Sequence, residues 1–168
     1  MKLLLIAAAI VAALIVVVLV VGWLLPVKHQ ASRAATFAAT PERVWQLITD
    51  IDSFPGWRGD VKGVMRLPDR DDHIVWVEEG SNGRMKMEVD RSEPPRRLVT
   101  RIADPDLPFG GTWTYRISPA PNGTTLTITE DGEVYNPIFR FMSRFVFGHE
   151  ATMAAYLSDA QKKLKAAN

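Results

Sequence analysis

The stretch from Asn136 to Lys165 constrains this chain most, because its apolar residues recur at helical spacing over about thirty positions. Ile138, Phe141, Met142, Phe145 and Val146, then Met153, Tyr156, Leu157, Ala160 and Leu164, step by three and four and lay an oily stripe along one side. Asn136 fits an N-cap and Pro137 the first helical position, while Arg140, Arg144, Lys162, Lys163 and Lys165 supply a solvated face. Gly148 falls between the two groups, where it bends or interrupts the helix. A helix this long cannot bury its stripe alone, and most of the chain before it consists of short runs with strand-like alternation. The expected architecture is therefore α+β, a curved sheet folded around a C-terminal helix.

Strands are expected over Arg33 to Ala39, Val61 to Leu67, His73 to Glu79, Arg84 to Arg91, Arg97 to Ala103, Thr112 to Ser118 and Thr124 to Glu133, each bounded by turn residues. Ser81-Asn82-Gly83 and Pro121-Asn122-Gly123 place Asn-Gly pairs between alternating runs, so neighbouring strands should be antiparallel. Thr40-Pro41-Glu42-Arg43 starts a helix that buries Val44, Leu47, Ile48 and Ile51, and the breaker-rich residues 50–57 form a turn or small helix pinned by Phe54 and Trp57. Alternation puts Met85, Met87 and Val89 on one face with Trp113, Tyr115 and Ile117, and with Leu126 and Ile128. Ile74 and Trp76 belong to the same set, although Val75 and Val77 make their strand ambiguous. A concave sheet lined by aromatic and thioether side chains, facing a helix with its own Phe and Met, can leave a cavity for an irregular apolar ligand. The expected lining is Trp76, Met85, Met87, Trp113, Tyr115, Ile128, Phe141, Phe145, Met153 and Leu157. The alternative is that these side chains fill the core.

Ahead of this part, Leu3 to Leu25 runs twenty-three residues with no charge and no proline. At ~1.5 Å per residue it spans ~34 Å, enough for the ~30 Å hydrocarbon layer. A cleaved secretory signal has a shorter apolar core of roughly 7–15 residues with a small-x-small site behind it, whereas here Trp23-Leu24-Leu25 runs straight into Pro26. Trp23 stands where an interfacial aromatic would. The expected division is a single-pass membrane anchor over 1–26, a polar connector over 27–32 and one domain over 33–168. Lys2 and the amino terminus balance Lys28 and Arg33, so the positive-inside rule assigns no side. Some 135 to 140 residues outside the anchor suffice for one core and not for two. Twenty basic and nineteen acidic residues, well mixed along 168 positions, leave no footprint for nucleic acid, and the absence of cysteine excludes disulfides and thiolate chemistry.

The order of elements, with Thr40-Pro41-Glu42-Arg43-Val44-Trp45-Gln46-Leu47-Ile48-Thr49-Asp50 and Phe54-Pro55-Gly56-Trp57 near its start, resembles the START-like, or SRPBCC, superfamily. That superfamily includes the polyketide cyclase/dehydrase and lipid-transport group. The resemblance covers about residues 33 to 165 and implies a helix-grip fold: a seven-stranded antiparallel sheet wrapped around the last helix, with an apolar ligand pocket between them. Trp57 matches an aromatic that chiefly packs. The resemblance also implies that the stiff loop from Asp104 to Gly111, with Leu107 and Phe109 at its tip, covers the pocket entrance; the alternative is a long hairpin connection whose Phe109 caps the core.

Catalytic signals are sparse. No nucleophile elbow, phosphate loop or dinucleotide fingerprint occurs, and Gly110-Gly111 falls in the loop. His29, His73 and His149 are too dispersed for a local metal motif, and neither a metal nor another cofactor is expected. Glu130 shares the inward parity of Leu126 and Ile128, and Glu78 that of Ile74 and Trp76, so either carboxylate could approach the pocket; the plainer expectation is that each reaches water or an arginine. Asp69 to Asp72 around Arg70 reads as an exposed turn. Three functions fit: a membrane-anchored binding or transfer module for a hydrophobic small molecule or lipid; an aromatase/cyclase or dehydrase using Glu130 or Tyr115 for proton transfer; and an interaction domain with a filled core.

Overall fold

A computed structural model of the chain describes residues 1–81, 83–148 and 150–166. The apolar run forms one helix, α1 (Lys2–Leu24), and a strand follows at once, β1 (Lys28–Phe37). Residues 28–32 are thus not a connector: Lys28 already pairs with Glu133 and His29 with Gly132 across the sheet. Next come α2 (Pro41–Thr49), a 3-10 turn (Ile51–Gly56) and six strands, β2 (Val61–Arg70), β3 (His73–Gly80), β4 (Gly83–Glu93), β5 (Arg97–Ile102), β6 (Phe109–Ala120) and β7 (Gly123–Val134). All neighbours are antiparallel in the order β1-β7-β6-β5-β4-β3-β2, so the first strand closes onto the last and the others follow by hairpins. Gly110 and Gly111, expected in a loop, are paired inside β6 opposite Glu133 and Gly132.

Local chemistry sets the helices. The Thr40 hydroxyl accepts from the Arg43 N–H and Pro41 occupies the first turn of α2, while the Asn136 side chain accepts from Ile138 and Phe139 at the start of α3 (Pro137–Met142). The expected single C-terminal helix is divided. A π-helical turn (Ser143–Phe147) follows α3, Gly148 takes φ +74°, a conformation that glycine adopts without strain, and α4 (Ala151–Ala166) follows as a separate helix. Only α4 delivers its stripe to the core, where Met153, Tyr156, Leu157, Ala160 and Leu164 are buried against Phe37, Val44, Ile48, Leu126 and Ile128. Phe54 and Trp57 meet edge to face at 5.8 Å and pin the 3-10 turn to Tyr156, whose ring is 5.1 Å from that of Trp57. This is the helix-grip arrangement of a seven-stranded antiparallel sheet around a C-terminal helix.

β3 is buried on both faces. Trp76 faces the concave side, whereas Val75 and Val77 are covered on the convex side, where buried Glu88 pairs with Arg101 at 2.9 Å and with Arg70. That cluster explains the alternation that was ambiguous in the sequence. A bulge between Val89 and Arg91 bends β4, so that Val89 and Ser92 both reach the concave surface.

Candidate functional site

Between the concave face and the helices lies a cavity of about 780 Å³, within the ~300–1,000 Å³ of small-molecule sites. Its middle is walled by the inward residues of four adjacent strands: Trp76 from β3, Met87 and Val89 from β4, Leu98, Thr100 and Ile102 from β5, and Trp113 and Tyr115 from β6. One end is lined by Trp45, Ile48 and Phe54. At the other end stand Phe109 at the start of β6, Phe139, Met142 and Ser143 from α3 and the π turn, and His29, Glu130 and Glu133 where β1 meets β7.

The floor carries one buried polar cluster. Arg58 donates from Nη1 to Glu78 Oε1 at 2.9 Å and from Nη2 to Asp60 Oδ2 at 2.7 Å, and the Trp76 indole donates to the same Glu78 oxygen at 3.0 Å. The guanidinium also lies 5.3 Å from the Tyr156 ring centroid and 5.0 Å from that of Phe54. Burial alone would lower the Arg58 pKa, but the Asp60 hydrogen bond and the Glu78 charge outweigh it and hold the group charged. Glu78 therefore reaches an arginine, the plainer of its two expectations, with Oε1 accepting from both Arg58 and Trp76. Burial pushes the Tyr115 and Tyr156 phenols well above their usual value, so both remain protonated and can donate a hydrogen bond but cannot serve as bases near neutrality. Burial lowers the His29 pKa, which keeps the imidazole neutral, 3.4 Å from Glu130 Oε1.

A family model described as polyketide cyclase / dehydrase and lipid transport matches residues 28–167. The chain belongs to that family. Its matched region begins at β1 and so includes residues that the sequence alone assigned to a connector. Among solved structures, a START superfamily protein from Mycobacterium smegmatis is similar with TM-score 0.65 and 18% identity, covering 83% of this chain and 99% of the other. The Zhui aromatase/cyclase from a Streptomyces species gives TM-score 0.67 and 14% identity, covering 82% and 94%. The di-domain aromatase/cyclase StfQ of the steffimycin biosynthetic pathway gives TM-score 0.67 and 13% identity, with 83% of this chain matched to 52% of that one; the chain spans about half of that protein. At these identities the likeness is one of fold. No curated protein sequence matches.

Within this polyketide cyclase / dehydrase and lipid transport domain, the structure puts Trp76, Met85, Met87, Trp113 and Tyr115 on the cavity wall, with Phe109 at its end and Glu130 beside it. Others fall elsewhere. Ile128, Met153 and Leu157 are packed solidly in the core where α4 lies beside β1. Phe141 and Phe145 stack on each other at 4.9 Å, and the turn of the helix directs Phe139 and Met142 to the cavity in their place. Leu107 is half-buried in the loop and does not reach the lining. His73 lies on the convex side, 3.8 Å from Glu88, and His149 lies outside the described residues. Among the described residues no group of three His, Cys, Asp or Glu converges as a metal site would require.

Arg58, Asp60, Thr100 and Ile102 were not anticipated. For Thr100 and Ile102 the signal was present, since Leu98, Thr100 and Ile102 alternate with Val99 and Arg101. Arg58 and Asp60 flank a glycine after a breaker-rich segment, and such residues read as solvated until the fold brings Glu78 to them.

Proposed function

We propose that the protein is a membrane-anchored binding or transfer module that holds a hydrophobic small molecule or lipid between its sheet and C-terminal helices. The cavity carries this reading: about 780 Å³ of space walled mainly by aromatic, thioether and branched aliphatic side chains. The thioethers of Met85, Met87 and Met142 suit ligands of irregular shape. α1 is long and apolar enough to cross a membrane, and as an anchor it would keep the domain beside a reservoir of apolar molecules. Titration of the detergent-solubilised chain with an anilinonaphthalene sulfonate fluorophore tests the reading. Uptake should saturate at one per chain and weaken in Met87→Trp, which narrows the cavity; non-saturable uptake unaffected by Met87→Trp would refute it.

An aromatase/cyclase reading is favoured by one observation: Tyr115 and Glu130 both border the cavity, from adjacent strands. Glu130→Gln keeps the shape and removes the titrating group, so an enzyme of this kind would lose roughly 100-fold or more in turnover of an aromatic polyketide-like substrate with binding nearly intact. Equal behaviour of the two proteins favours the carrier.

A further inference from the structure

α1 does not hang from the domain by a slack tether. Its face formed by Val18, Val21, Gly22 and Leu25 is withdrawn from solvent against α3, while the rest of the helix is bare. The crossing is close: a Cβ on Gly22 would stand 2.0 Å from the Pro137 carbonyl oxygen, so only glycine fits. Arg140, itself buried, donates from Nη1 to the Leu25 carbonyl at 2.8 Å and from Nη2 to the Tyr135 carbonyl at 3.3 Å, capping the open end of α1 and tying it to the end of β7. The Val134 N–H then bonds the Val27 carbonyl at 2.9 Å, and β1 begins one residue later. The direction of α1 therefore fixes the orientation of the whole domain.

That orientation places α3 beside the last two turns of α1. Val18 precedes Leu25 by seven residues, which at ~1.5 Å per residue puts the contact up to ~10 Å inside the apolar span, the depth at which interfacial helices lie. The side chains this region presents outward suit such a depth: Trp23, Tyr135, Ile138, Phe139, Phe145 and Val146 are all exposed. Arg144, also exposed, has the long stem that lets a charge reach the headgroups. The same segment walls the cavity through Phe139, Met142 and Ser143, and the Tyr135 N–H bonds the Pro108 carbonyl, which brings the loop ending in Phe109 to the same place. Membrane helix, apolar surface and cavity end thus coincide.

We propose that α3 and the π turn are inserted in the leaflet where α1 ends, and that the end of the cavity bordered by Phe109, Phe139 and Met142 is a lateral doorway through which an acyl-chain lipid of that leaflet enters. This rests on the binding and anchoring reading given above, and names its source of ligand as the adjoining leaflet rather than the aqueous phase. The π turn and Gly148 give the doorway a segment in which backbone hydrogen bonding is already irregular, between two regular helices.

The full chain, reconstituted in phosphatidylcholine vesicles, tests it. Because the sequence has no cysteine, Val146→Cys and Ser118→Cys each accept one fluorescent label, the second at the exposed far end of β6. Phosphatidylcholine carrying a nitroxide high on its acyl chain should quench the Val146→Cys label several-fold more than the Ser118→Cys label; equal quenching overturns the proposal. In parallel, a fluorescent phosphatidylcholine is offered to wild type and Phe145→Asp from detergent micelles and from vesicles. Phe145 does not line the cavity, so uptake from micelles should be the same for both, while uptake from vesicles should fall ~10-fold or more in the variant, because a carboxylate is costly within the leaflet. Equal uptake from vesicles overturns the doorway and leaves the binding reading standing. Failure of wild type to bind from micelles overturns both. The quenching arm does not depend on whether Phe145→Asp folds.

Discussion

The two halves of the segment from Asn136 to Ala166 carry the same spacing of apolar residues and occupy opposite surroundings. In α4 the stripe is sealed against the sheet, with Met153 and Ala160 at 0% exposure, while before Gly148 Ile138, Phe145 and Val146 stand at 45%, 60% and 58%. The physical cause has a local and a long-range part. Gly148 turns the chain at positive φ, and the close crossing of Gly22 with Pro137 holds the first half beside α1 instead of over the sheet. Helical periodicity reports which side chains share a face; it does not report whether protein, cavity or lipid covers that face.

The most drastic way to break this contrast is to truncate one residue in each half. Met153→Ala empties a fully enclosed site and should cost ~2–5 kcal/mol, whereas Phe145→Ala should stay within ~0.5 kcal/mol in detergent solution. Denaturant unfolding of the two variants makes the comparison, and similar losses would erase it. The cavity wall should behave between these extremes. Trp113 is half-buried beside empty space, so Trp113→Ala is expected to cost less than the ~3–5 kcal/mol of a large aromatic in a filled core, while fluorophore uptake falls sharply. A full-size stability loss with unchanged uptake would turn the wall into ordinary core.

Arg140→Ala sharpens the contrast from the other side. It strips the Leu25 and Tyr135 carbonyls of a charged donor and should cost about 1–3 kcal/mol. Hydrogen exchange should quicken around residues 25–27 and 134–140 and not in α4; a uniform rise along the C-terminal segment would show that the two halves act as one. The smallest effect concerns acid. The Lys162 ammonium, then the Gly59 N–H at 2.9 Å, hold the Asp159 carboxyl below its ordinary 3.8, so this fastening of α4 is complete above that value and is lost as pH falls through the lowered one. Acid should therefore loosen the α4 contact with Gly59 while the α1–α3 crossing persists, and Asp159→Asn should flatten that pH dependence.

Much of the fold was legible because its signals are local. The Asn-Gly turns, the caps at Thr40 and Asn136, and the parity of Met85, Met87, Trp113 and Tyr115 each involve residues a few positions apart. What stayed hidden depends on packing between distant segments. Nothing near Lys28 announces that residues 28–32 pair with β7, since the partner lies about a hundred positions away. Ile128 and Trp113 share a face, yet one is sealed under α4 and the other opens on the cavity, because α4 covers only part of the concave surface. Phe139 and Met142 replace Phe141 and Phe145 at the cavity because α3 is set by its docking on α1, a segment about a hundred positions away that 3.6-residue periodicity does not encode.

Whether the space between sheet and helix holds a ligand is the central question, and native mass spectrometry of the full chain, released gently from mild detergent, addresses it most directly. A population heavier than the bare polypeptide by one apolar molecule, extractable into organic solvent and depleted in Met87→Trp, is expected. A bare chain under the gentlest activation, together with a full-size stability loss in Trp113→Ala, would contradict it and make the domain a filled core.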